Sequence, residues 1–123
     1  LGALTTTSDL KNTYSEIKVN LSENEKINTK KIKLGAFIGD HVQTGIGSLI
    51  STGTVIMPFC NLYGGLNFKG FIKPFTWWGD DIKTEYNLQK AIEVAKKMME
   101  RRNFKMEEEY VELIRNMYRK YKS

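Results

Sequence analysis

The chain has one cysteine, Cys60, and one histidine, His41, among 123 residues. A single thiol excludes an intrachain disulfide, and one imidazole beside it cannot complete a zinc site of soft ligands, so no metal is expected. A reducing, cytoplasmic setting suits that cysteine usage. No stretch approaches the roughly 18 apolar residues that span a bilayer, so no membrane partner is expected. The start, Leu1-Gly2-Ala3-Leu4-Thr5, lacks the basic opening and apolar core of a signal peptide. It also lacks an initiator methionine and reads as the middle of a structured element, so the chain is expected to be a fragment of a longer one. Composition is that of a globular domain: 41% hydrophobic and 27% charged residues argue against disorder and fibrous architecture.

The net charge of +5 is uneven, since residues 89–123 hold ten basic and six acidic side chains. That segment also carries the helical pattern. Leu88, Ala91, Ile92, Ala95, Met98 and Met99 form the apolar stripe of an amphipathic helix running from a Thr84 cap to a stop at Asn103. Met106, Tyr110, Leu113, Ile114, Met117 and Tyr121 form a second stripe, with Glu107, Glu108 and Glu109 first and Arg119, Lys120 and Lys122 last, the charge order that suits a helix dipole. A nucleic-acid interface would need a continuous basic face. Glu93, Glu100, Glu107, Glu108 and Glu109 interrupt it, so no nucleic-acid partner is expected.

From Ile38 to Phe68 the period is six. Ile38, Thr44, Ile50, Ile56, Leu62 and Phe68 occupy the first position of successive hexads; Val42, Ser48, Thr54, Cys60 and Leu66 occupy the fifth. Such hexads describe a three-sided parallel β coil in which first and fifth positions face a narrow interior and glycine or a small polar residue turns each corner. The chain then divides into a β segment over 1–67, an aromatic connector over 68–83 and a helical tail over 84–123. The hexads supply little over two coils, so an open edge is expected, covered by earlier coils or by a partner chain.

Three blocks carry a family resemblance: Leu1-Gly2-Ala3-Leu4-Thr5-Thr6-Thr7-Ser8-Asp9-Leu10 through Tyr14, Leu34-Gly35-Ala36-Phe37-Ile38-Gly39-Asp40-His41 through Tyr63-Gly64, and the helix Lys90 to Asn103. They resemble the C-terminal part of bacterial sugar-phosphate nucleotidyltransferase-like proteins, similar to the bifunctional N-acetylglucosamine-1-phosphate uridyltransferase and glucosamine-1-phosphate acetyltransferase. The resemblance implies a mainly β fold, a left-handed parallel β-helix with a C-terminal helical tail. It implies a homotrimer that transfers acetyl from acetyl-CoA to an amino-sugar phosphate in the groove between subunits. An N-terminal nucleotidyltransferase domain and the family's general-base histidine would lie before Leu1. The family's acceptor-binding Asn-Tyr pair falls on Asp9 and Leu10, a departure that leaves the acceptor open, and its coenzyme-lining corners fall near Gly45 and Ile46 and near Tyr63 and Gly64.

The remaining chemistry-bearing residues keep two readings each. His41 has the right basicity for a catalytic base, against a corner histidine bonded to a neighbouring coil or subunit. Cys60 reads as core. Phe68, Phe71, Phe75, Trp77 and Trp78 either cap the last coil or stack against a sugar or adenine ring. Arg101, Arg102, Lys105, Arg115, Arg119 and Lys120 either attract coenzyme phosphates or form a solvated helix face. The competing function is a silent β-helix that trimerises or regulates an attached nucleotidyltransferase domain.

Overall fold

In a computed structural model, residues 1–122 are described. They are mainly β: short strands, most of them in parallel sheets, followed by two helices. One sheet contains β4 (Phe37–Ile38), β7 (Val55–Ile56) and β10 (Phe71–Ile72). A second contains β5 (Gln43–Thr44), β8 (Asn61–Leu62), β11 (Thr76–Gly79) and the antiparallel edge strand β12 (Ile82–Glu85). The third contains β1 (Thr6–Thr7), β6 (Leu49–Ile50) and β9 (Asn67–Phe68). From β4 to β11 the chain visits the three sheets in strict rotation.

Phe37 pairs with Val55, Gln43 with Asn61 and Leu49 with Asn67, a step of 18 residues on each sheet. Three hexads make that step, and the arrangement is compatible with the coil expected from the period. Ile50, Ile56, Leu62 and Phe68 are at most 2% exposed, as first positions should be, and fifth-position Ser48, Thr54 and Cys60 are fully buried. Ile38 departs from this, at 39% exposure, because β4 is an edge strand.

Burying hydroxyls in so narrow an interior would cost stability unless they were bonded. Ser48, Thr54 and Thr76 are satisfied by one repeated device, each donating to the carbonyl three residues back, of Gly45, Ser51 and Lys73, at 2.6–2.8 Å; half-buried Thr5 does the same to Gly2, and the buried Thr44 hydroxyl bonds instead to the Gly2 amide and the Thr5 hydroxyl. Among the described residues no buried side-chain nitrogen or oxygen lacks a partner.

Two features break the period. Thr6 pairs with Leu49, 43 residues on, which exceeds the 18-residue step by 25. That excess is the separation of Asp9 and Leu34, whose backbone bond, Leu34 N–H to Asp9 carbonyl at 2.9 Å, closes an excursion from the coil. The excursion carries an antiparallel hairpin, β2 (Lys18–Asn20) and β3 (Lys26–Asn28), anchored by Ile17 and Val19. Ile17 lies so close to Gly53 that a Cβ there would stand 2.8 Å from its Cγ2. The second break follows Phe68. The turn between β9 and β10 is two residues shorter than the one between β6 and β7, so Phe71 pairs with Val55 at a step of 16. Residues 68–83 accordingly carry β10, β11 and the start of β12.

Thr84 lies within β12 and does not cap the first helix; Asn87 does, its Oδ1 accepting the Lys90 amide at 3.0 Å. Helix α1 (Leu88–Arg101) ends in Asn103 at φ +62°, with Phe104 N–H on the Met99 carbonyl and Asn103 N–H on Glu100, a complete left-handed cap. Helix α2 (Glu108–Lys122) follows. Replacing Asn87 by Ala should cost about 1 kcal/mol, read as a lower urea midpoint with an unchanged slope.

Two cores result. Val42, Ile50, Ile56, Cys60, Leu62, Phe68 and Ile72 fill the coil interior, whereas Phe59, Phe75, Tyr86, Ala91, Ile92, Ala95, Met106 and Ile114 join the helices to its outside. His41, Phe59 and Phe75 connect the second core to the strands. They occupy equivalent turn positions in successive coils, all at positive φ (56–61°), and stack with centroids 4.9 and 5.1 Å apart. Helix α2 runs along this ladder, with Tyr110 against His41 and Tyr118 edge-on to Phe75. Those tyrosines are eight residues apart, or about 12 Å of helix, enough to span two strand spacings of about 4.8 Å.

Candidate functional site

Three kinds of turn link the sheets, and the candidate residues distribute over all three. His41 lies between β4 and β5; Gly45 and Ile46 lie between β5 and β6; Tyr63 and Gly64 lie between β8 and β9; Asp9 and Leu10 begin the excursion after β1. The structure therefore brings Gly45, Ile46, Tyr63 and Gly64 together, at one kind of turn in successive coils. It places His41 and the Asp9–Leu10 pair at two others.

The Gly45 turn is built by close stacking. A Cβ on Gly2 would meet the Gly45 carbonyl carbon at 2.5 Å, one on Gly45 would meet Tyr63 Cβ at 2.8 Å, and one on Gly79 would overlap the Tyr63 ring at 2.0 Å. The Tyr63 ring is held from its far end by Trp77, whose Nε1 donates to the hydroxyl at 3.2 Å. Space beside Gly64 is closed by the Asp80 amide, 2.9 Å from the Cβ position. Gly45 and Gly64 are thus packed by the residues of neighbouring turns. Open backbone lies a step further on, where Gly47 (φ +67°) and Gly65 (φ +69°) have nothing within 4 Å of a Cβ position. These two occupy equivalent places, 18 residues apart; in sequence Gly47 reads only as a turn glycine and Gly65 carries no assigned role, the signal being the second glycine after Gly45 and after Gly64. Exposed apolar side chains lie next to this turn in the chain: Ile46 (76% exposed) beside Gly47, Leu49 (48%) two residues on, and Leu4 (82%) beside Ala3, whose carbonyl accepts the Gly47 amide.

His41 is engaged. Its Nε2 lies 2.7 Å from the Tyr110 hydroxyl, and its ring stacks on Phe59. Partial burial lowers its pKa and outweighs the opposing Asp40 carboxylate. A folded pKa below the unfolded value of about 6.5 means that the unfolded chain binds more protons as the solution is acidified. Stability should hold above that value and be lost as pH falls through it toward the lowered folded pKa. Urea midpoints measured from pH 8 to pH 5 should fall less for His41→Gln than for the parent chain.

Asp9 reaches Lys33 at 3.8 Å across the neck of the excursion, and both side chains are exposed, so the contact contributes little stability. Cys60 is fully buried, and burial pushes its thiol up to about 11, against the effect of the Thr76 hydrogen bonds. The thiol remains protonated at neutral pH and serves as core. Among the described residues no His, Cys, Asp and Glu side chains group as a metal site, and no helix is long and apolar enough to cross a membrane.

Comparison with known proteins adds one relation to this geometry. No family model matches the chain. The chain is 41% identical over 64 residues to a bifunctional sugar-1-phosphate nucleotidylyltransferase/acetyltransferase of Sulfurisphaera tokodaii. The match covers 52% of this chain and 16% of that protein. The similarity supports kinship with that group of sugar-phosphate transferases, here through an archaeal relative where the resemblance was to bacterial ones.

Proposed function

We propose that the chain is the C-terminal acyltransferase-type module of a sugar-nucleotide biosynthesis protein, a left-handed parallel β-helix that trimerises and transfers acetyl from acetyl-CoA to an amino-sugar phosphate. The observation that carries this reading is the 18-residue register repeated on three parallel sheets, found in a chain with 41% identity to a protein named for acetyl transfer. In this reading acetyl-CoA lies along the open Gly47 and Gly65 backbone, beside Gly45, Ile46, Tyr63 and Gly64. The acceptor amine attacks the thioester carbonyl, the C–S bond of the tetrahedral intermediate breaks, and coenzyme A leaves as its thiol while the amine proton is passed to a base. The apolar rim of Leu4, Ile46 and Leu49 suits burial against another copy. Assembly would also let turns that are separate in one chain, such as those of Asp9 and Leu10, meet across a subunit boundary. His41 positions the helical tail through Tyr110, and the base that accepts the amine proton comes from a preceding part of the longer protein.

Acetyl-CoA titration by calorimetry, with oligomeric mass checked in the same buffer, tests this. Saturable binding by a trimer, lost on Ile46→Asp together with the trimer, is the expected result; a well-formed trimer that binds no acetyl-CoA would overturn it. That outcome would favour the silent β-helix, a reading supported by the engagement of His41 Nε2 with Tyr110.

A further inference from the structure

A cleft of about 860 Å³ lies away from the Gly47 turn. Its size falls in the range of small-molecule sites, roughly 300–1,000 Å³. Its walls come from four places far apart in sequence: the hairpin tip at Ser22–Asn24, the β10 strand with the turn after it, β12, and the last turn of α2. The tip of the hairpin and the last turn of α2 thus line one cleft, together with the strands between them.

The lining combines cations with aromatic surface. Lys73, Lys83 and Lys122 all face the cleft, against the carboxylates of Glu23 and Glu85. Neither Lys73 nor Lys83 is in salt-bridge contact with a carboxylate among the described residues. Lys83 instead sits over the Trp78 ring, 4.5 Å from its centroid. Lys122 lies 3.5 Å from Glu85, whose carboxylate also accepts from the Tyr118 hydroxyl. Phe71 and Tyr121, the latter 48% exposed, add ring surface with no ring partner of their own among the described contacts.

We propose that this cleft binds a nucleoside phosphate, with the phosphate between Lys73, Lys83 and Lys122 and the base against Phe71 or Tyr121. Ammonium groups recognise phosphate as point charges and need no bidentate geometry, which suits three flexible lysines drawn from separate elements. Aromatic walls supply the stacking that an inorganic anion could not use. Glu85 is the internal competitor. Its carboxylate already neutralises Lys122, so an incoming phosphate works against it.

The test is calorimetric titration of the folded chain with ADP, beside inorganic phosphate, for the parent, Lys83→Glu, Lys73→Glu and Glu85→Gln. Circular dichroism confirms the fold of each. ADP should bind saturably and at least about tenfold more tightly than phosphate, a difference of about 1.4 kcal/mol. Each lysine reversal should weaken ADP by a similar factor, whereas Glu85→Gln should tighten it, and added salt should weaken all of them. No ADP binding by the folded parent, or binding indifferent to both lysine reversals, would overturn the proposal; equal affinity for ADP and phosphate would overturn its nucleoside part. The acyl-transfer reading survives any of these failures, because it places the coenzyme at a different turn.

Discussion

Replacing Phe68 by Ala should cost about 3–5 kcal/mol, the largest loss expected from any single truncation in the chain. Phe68 is fully buried at the first position of its hexad, pairs opposite Ile50 in the parallel ladder, and meets Trp78 edge-on at 5.2 Å. It is the largest fully buried side chain, and it fills a narrow interior whose walls are hydrogen-bonded strands on three sheets. Those walls cannot collapse onto the void without breaking the bonds that set their spacing, so the cavity term is added to the lost transfer energy. Domains of this size are stable by only about 5–15 kcal/mol, so the variant should unfold at a much lower urea concentration. Tryptophan fluorescence, to which Trp77 and Trp78 both contribute, reports on the transition. Phe104→Ala, at a side chain 66% exposed, should change stability by no more than about 0.5 kcal/mol. A Phe68→Ala midpoint close to that control would mean that the coil interior does not hold the fold together.

The period of six was legible because the interior of the coil admits only one kind of residue at a time. Ile50, Ile56, Leu62 and Phe68 repeat without interruption, and the alternation with Ser48, Thr54 and Cys60 marks the turns. The hairpin was not legible. Between Asp9 and Leu34 the chain leaves the coil, and only Ile17 and Val19 are buried there, too few to show a period. The strands after Phe68 were hidden for a different reason. A turn shortened by two residues shifts the register from 18 to 16, so Ile72 and Trp78 fall out of the hexad frame although each remains opposite Ile56 or Leu62. Their aromatic neighbours then look like a connector.

The ladder of His41, Phe59 and Phe75 was beyond sequence reasoning. Positive φ is uncommon outside glycine and is most unusual for phenylalanine, so nothing in the residue types announces three such positions in a row. Tertiary packing explains them. The left-handed turn carries each ring outward to where α2 covers it, and the helix in turn satisfies His41 through Tyr110. Of the candidate site, the Gly45 turn was legible and its open face was not. A glycine kept for close packing and a glycine kept for an open approach look the same in sequence.

That distinction sets the second large effect. Gly45→Val should destabilise the fold by at least about 2 kcal/mol, within the range that overpacking produces. The Cβ position is 2.8 Å from Tyr63 Cβ and 3.2 Å from its Cα, so the obstruction is backbone and the root of a side chain, neither of which can swing aside. Separating the two strands is also resisted, because Gly45 donates to the Leu62 carbonyl at 2.7 Å. Any loss of acetyl-CoA binding in this variant would therefore follow from loss of the coil and say little about the coenzyme. Gly47→Ala separates the two effects. A Cβ there meets nothing, and its cost is the left-handed conformation alone, about 1–2 kcal/mol. Thermal unfolding of Gly47→Ala should stay cooperative with a modestly lowered midpoint, while acetyl-CoA affinity falls if the bare backbone is where the coenzyme lies. An unchanged affinity in a folded Gly47→Ala trimer would move the coenzyme off this turn, because a new methyl group would then be standing on the open backbone proposed to hold it.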